Sequence, residues 1–75
     1  MAERVTGTVV NWDSFLGIGF IERDFYEGYE CHIFVEANAV RKGCSFKLKQ
    51  GLRVEFIITQ HGIKGPQAED VTLEE

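Results

Sequence analysis

The sequence predicts an all-β domain in which five short strands form a small antiparallel sandwich or barrel. Three observations lead there. No window sustains apolar residues at i, i+3, i+4 and i+7, which excludes a long helix. Short β-branched and apolar runs recur instead, and the connections between them carry glycine. A chain of 75 residues holds one domain, spanning 1–75, with a thin core.

The first run contains Val5, Thr6, Thr8, Val9 and Val10, whose branched side chains favour extended backbone. The second is Ile18 to Ile21, threaded by Gly17 and Gly19, and the third is His32 to Val35. The fourth, Leu52 to Thr59, alternates with Leu52, Val54, Phe56 and Ile58 on one face. After the turn residues His61 and Gly62, the fifth runs from Ile63 to Val71 and Leu73. Glu36 to Lys42 has room for one helical turn and nothing longer.

Parity assigns faces. Gly17 and Gly19 are two apart, so on a strand they share one face and mark tight curvature or close backbone approach. Ile18 and Phe20 then point away from the core. By the same alternation Ile33 and Val35 enter the core while Phe34 and Glu36 leave it. A phenylalanine projects outward on each of two neighbouring strands. Phe15, Phe25, Tyr26 and Tyr29 add aromatics in or near loops.

Charge narrows the function. The net charge of −4 argues against holding duplex DNA mainly by phosphate neutralisation. Between Ala37 and Val54 there is no acid, while Arg41, Lys42, Lys47, Lys49 and Arg53 form a local basic stretch. No apolar run approaches the roughly 20 residues of a membrane span. Glu3 and Arg4 stand where a signal peptide has its apolar core, so a cytoplasmic location is expected. Cys31 and Cys44 are too few for a disulfide framework, and reduced thiols are expected.

Catalytic and metal constellations are absent from the pattern. The cysteines lie 13 apart and the histidines, His32 and His61, 29 apart, without the paired spacing of a zinc site. Cys31 and His32 are adjacent on a strand and face opposite ways, which rules them out as a nucleophile pair. Gly17-Ile18-Gly19 lacks the third glycine and the helix of a dinucleotide fingerprint. No enzyme activity, cofactor or metal is expected. Outward aromatics on a curved sheet leave two readings: they cover a thin core, or they stack the bases of single-stranded nucleic acid.

At this point the residues resemble a known family. Gly7-Thr8-Val9 with Trp12, then Gly17-Ile18-Gly19-Phe20-Ile21, is similar to the opening and first ribonucleoprotein motif of cold-shock domains. Ile33-Phe34-Val35 followed by Ala39-Val40 is similar to the second motif. Gly51-Leu52-Arg53-Val54-Glu55-Phe56 and Lys64-Gly65-Pro66-Gln67-Ala68 with Val71 resemble two further signatures, in order along the chain. The resemblance implies a five-stranded oligonucleotide/oligosaccharide-binding (OB) barrel. It also implies single-stranded RNA or DNA as partner, and roles as RNA chaperone or regulator of transcription and translation.

The resemblance carries Trp12, Phe20 and Phe34 over as stacking residues and Lys64 as a phosphate contact. Arg41, Lys42 and Lys47 are further expected phosphate contacts, and Phe15, Phe46 and His61 expected contributors at the rim. Departures thin the platform. Asn11 stands in place of the binding tryptophan, Val10 and Leu16 in place of lysines, and Ile18 in place of a phenylalanine. Glu36 and Ala37 replace histidine and phenylalanine. The expectation is a monomeric, non-catalytic single-strand binder with a reduced platform; the alternative is an OB-fold protein-interaction or ribosome-associated module.

Overall fold

The computed structural model describes residues 3–25, 32–60 and 65–74. β1 spans Val5–Asp13, β2 Ile18–Arg23, β3 His32–Glu36, β4 Arg53–Gln60 and β5 Pro66–Leu73, with a 3-10 turn at Ala37–Ala39 after β3. The strands close into a barrel in the order β1-β2-β3-β5-β4. This is the expected five-stranded barrel, with one difference. Four neighbouring pairs are antiparallel, but β3 and β5 run parallel where Phe34 faces Gln67. An odd number of strands cannot alternate in direction around a closed ring, so one parallel pair is unavoidable.

Alternation places the core as the sequence reading expects. Val9, Ile21, Ile33, Val35, Val54, Phe56, Ala68 and Val71 are buried in the barrel, with Leu48 from the loop before β4. Leu52 and Ile58 pack against this cluster from the two ends of the β4 face. The single helical turn expected after Glu36 is the 3-10 turn, whose backbone is tied to the β1–β2 turn by Ala37 N–H donating to the Gly17 carbonyl at 2.9 Å.

Gly17 and Gly19 divide the roles assigned to them. Gly19 lies in the strand, where a Cβ would collide with the Asn11 carbonyl and reach the Trp12 ring. Gly17 is not on the strand. It ends the β1–β2 turn with φ +70, a conformation that side-chain-bearing residues rarely adopt. Asp13 shapes that turn, its Oδ1 accepting from the amides of Phe15 and Leu16 at 3.0 Å each.

Ion pairs tie the barrel's outside together. Arg53 on β4 holds Asp24 (Nη1 to Oδ1, 2.8 Å) and Glu74 (Nε to Oε1, 3.0 Å). Arg4 reaches Asp70 at 2.9 Å and the Thr72 hydroxyl at 2.8 Å. Arg41 grips the same Asp70 through two bonds of 2.7 Å. Those contacts, Arg41 first, hold the Asp70 carboxyl below the usual carboxylate range. Asp70 itself sits at φ +53, a left-handed conformation that aspartate tolerates better than most residues.

The Arg53 hydrogen bonds, followed by one from the Thr6 hydroxyl, hold Asp24 at about 2. Because this pKa lies below that of the unfolded chain, near 3.9, the pairing stabilises the fold above about pH 4 and fades as pH falls toward 2. Asp24→Asn is therefore expected to be less stable than the parent at pH 7 and to converge with it near pH 2, as read by urea denaturation across that range. A constant difference between the two proteins at every pH would contradict the assignment.

Candidate nucleic-acid interface

The outward positions of β1, β2, β3 and β5 form a continuous face. Register sets its central row: Asn11 faces Phe20, Phe20 faces Phe34, and Phe34 faces Gln67. Phe20 is 45% exposed and Phe34 half-buried, whereas their chain neighbours Ile21, Ile33 and Val35 are sealed in the core. The two rings meet edge to face, with centroids 5.8 Å apart and planes at 68°. The pair props itself in position, with Phe20 the more exposed of the two rings.

Acids stand in the rows on either side. Asp13, Ile18 and Glu36 form one, and Thr8, Glu22 and His32 the other. Glu36 is fixed in place by Gln67, whose Nε2 donates to its Oε1 at 2.9 Å. Gln67 is only 8% exposed, so its amide is held by its surroundings before any ligand arrives. Sequence reasoning did not single out Gln67. The available signal was its place in the last-strand signature, directly opposite a motif phenylalanine once the parallel pairing is known.

Trp12 is not brought into the aromatic row. The β1–β2 register slips at Val10, so that Val9 faces Ile21 but Asn11 faces Phe20. An extra residue in one strand reverses the parity beyond it. Trp12 therefore faces Gly19, on the opposite side of the sheet from Phe20, and packs against the core. There it lines an open cleft of about 610 Å³ with Val40, Phe46, Lys42 and Lys47. The cleft and the aromatic row adjoin at Gly17 and Ala37, which line the cleft beside the Ile18–Glu36 pair.

The remaining expected residues separate into groups. Ile18 lies on the face, half-buried. Phe15 is 95% exposed in the β1–β2 turn, and Phe46 is half-buried in the cleft wall. Lys42 and Lys47 are exposed and make no ion pair among the described residues. Arg41 also borders the cleft, but Asp70 takes its guanidinium, which reduces what it can offer a phosphate. Lys64 and His61 lie outside the described residues, as do Tyr26, Tyr29 and Cys31; Phe25 is fully exposed at φ +57. No group of metal-ligating side chains occurs among the described residues.

Comparison with known proteins bears on this face. Residues 5–74 match the family profile described as the 'Cold-shock' DNA-binding domain. The chain is 47% identical over 68 residues to cold shock-like protein CspLB of Listeria monocytogenes, covering 89% of this chain and 94% of that one. It is 40% identical over 67 residues to a cold shock protein of Arthrobacter globiformis, with coverage of 89% and 94%. The cold shock protein CspV of Vibrio cholerae is 37% identical over 71 residues, with coverage of 95% and 96%. Among solved structures, Drosophila Unr CSD456 superposes with a TM-score of 0.75 at 20% identity. That match covers 99% of this chain and 28% of the fly chain, and it speaks to the fold. With four motifs in register and a closed five-stranded barrel presenting the motif phenylalanines to solvent, the chain belongs to the cold-shock domain family and is a nucleic-acid-binding protein of cold-shock type.

Proposed function

We propose that this protein binds single strands of RNA or DNA by stacking bases on Phe20 and Phe34, without catalysis, as a cytoplasmic monomer serving as RNA chaperone or regulator of transcription or translation. One observation carries the reading: two phenylalanine rings, paired edge to face, stand on an exposed sheet face where core packing has no use for the outer one. Every base has a π-face, so stacking binds with little regard to sequence. Among the described residues, the rows beside the phenylalanine pair hold Asp13, Glu22 and Glu36, which repel phosphates, and the guanidinium beside Thr8, that of Arg53, is taken by Asp24 and Glu74. The backbone is therefore expected to leave the face toward Lys42 and Lys47 in the cleft, with Lys64 a further phosphate contact by its place in the last-strand signature. With a shortened platform and flanking acids, affinity is expected to be micromolar or weaker.

Phe20→Ala and Phe34→Ala test this. Each removes a stacking group worth about 1–3 kcal/mol, roughly 5- to 150-fold in affinity. Phe20→Ala is expected to stay folded with a modest drop in melting temperature from its lost contact with Phe34, while the half-buried Phe34 loses more packing. Fluorescence anisotropy of a labelled pyrimidine-rich strand reads binding, and a thermal melt reads the fold. A folded Phe20→Ala protein with parental affinity would sink the proposal.

A further inference from the structure

We infer that Glu36 selects among bases, favouring those that carry an exocyclic amino group over uracil and thymine. The inference rests on the reading that Phe20 and Phe34 stack bases. Glu36 is two residues beyond Phe34 on the same face of β3, about 7 Å along the strand. A flat base lying over the phenylalanine pair therefore presents an edge toward it. The carboxylate does not swing freely. Gln67 faces Phe34 across the parallel pair, and its Nε2 reaches the next row to hold Glu36 Oε1 at 2.9 Å. Oε2 takes no hydrogen bond among the described residues.

A fixed carboxylate is an acceptor and nothing else. It favours an edge that offers N–H, such as the N4 amino group of cytosine or the N6 amino group of adenine. Uracil and thymine present a carbonyl oxygen at that same position, which a carboxylate repels, and their one edge donor, N3–H, lies between two carbonyl oxygens that oppose its approach. Glu36 thus has two opposing effects at one site: it repels phosphates in general and rewards amino-bearing bases in particular. Stacking alone supplies no such preference, because it reads the π-face and not the edge.

The test compares seven-residue oligodeoxycytidine with oligodeoxyuridine at pH 8, where neither base is charged, in the parent and in Glu36→Gln. Glutamine retains a carbonyl oxygen to accept from Gln67, and its own amide lets it both donate and accept. The parent is expected to bind the cytidine strand about fivefold more tightly, the low end of what a bidentate base contact achieves. In Glu36→Gln the ratio is expected to fall to about one, mainly through tighter binding of the uridine strand. An equal ratio in parent and variant overturns the role of Glu36 while leaving the stacking reading intact. Loss of both strands' binding in Phe20→Ala, with the parent's ratio as expected, supports both. Absence of binding to either strand by the parent overturns both.

Discussion

Phe56→Ala is expected to lower the unfolding free energy by about 3–5 kcal/mol, the range for removing a large aromatic from a packed core. Phe56 is the largest of the fully buried side chains, and β4, which carries it, pairs with both β1 and β5. The barrel is a single layer closed on itself, so a cavity at its centre borders most of the core and has no second core to lean on. At roughly 0.05–0.15 kcal/mol per residue, a chain this short has about 4–11 kcal/mol of stability, so the substitution removes a large share of it. Urea denaturation of the variant is expected to show a folded fraction strongly reduced at 25 °C. A midpoint equal to the parent's would contradict the placement of Phe56 and the alternation that puts Val54 beside it in the core.

The second large effect runs in the favourable direction. Ile18→Phe with Glu36→His is expected to tighten single-strand binding by at least about 1 kcal/mol per step, so roughly 30-fold or more together. Ile18 and Glu36 face each other across β2 and β3, next to the Phe20–Phe34 pair, and neither belongs to the core cluster. A phenylalanine at 18 extends the platform by one ring. Histidine at 36 adds another ring and removes a charge that repels phosphate, an effect salt screens only in part. The same double substitution is expected to flatten any preference for cytidine over uridine strands. Because the two sites touch, the steps need not add fully. Equal affinity for parent and variant would mean that bases do not cross this face.

Much of the barrel is legible in the sequence because its faces obey a strict period of two. Ile18, Phe20, Phe34 and Glu36 lie outward and Ile21, Ile33 and Val35 inward, as alternation alone requires. Trp12 shows where that rule stops. A bulge at Val10 shifts the remainder of β1 by one residue, and a β-branched valine in a β-branched run gives no warning of it. Arg41 shows a second limit. Its position in an acid-free stretch suggests a cation available to phosphate, but its partner Asp70 is 29 residues away and adjacent only through the fold. Gln67 is the converse case. Its amide becomes meaningful only when the parallel β3–β5 pairing sets it beside Phe34 and within reach of Glu36.

The central claim is that single strands lie across the Phe20–Phe34 face, and amide chemical-shift mapping tests it most directly. On titrating the isotope-labelled protein with a seven-residue oligodeoxycytidine, the largest shifts are expected at Ile18, Phe20, Phe34, Glu36 and Gln67. Smaller ones are expected around Lys42 and Lys47. Shifts confined to the Trp12–Phe46 cleft, or to the opposite side of the barrel around Arg4 and Asp70, would contradict it.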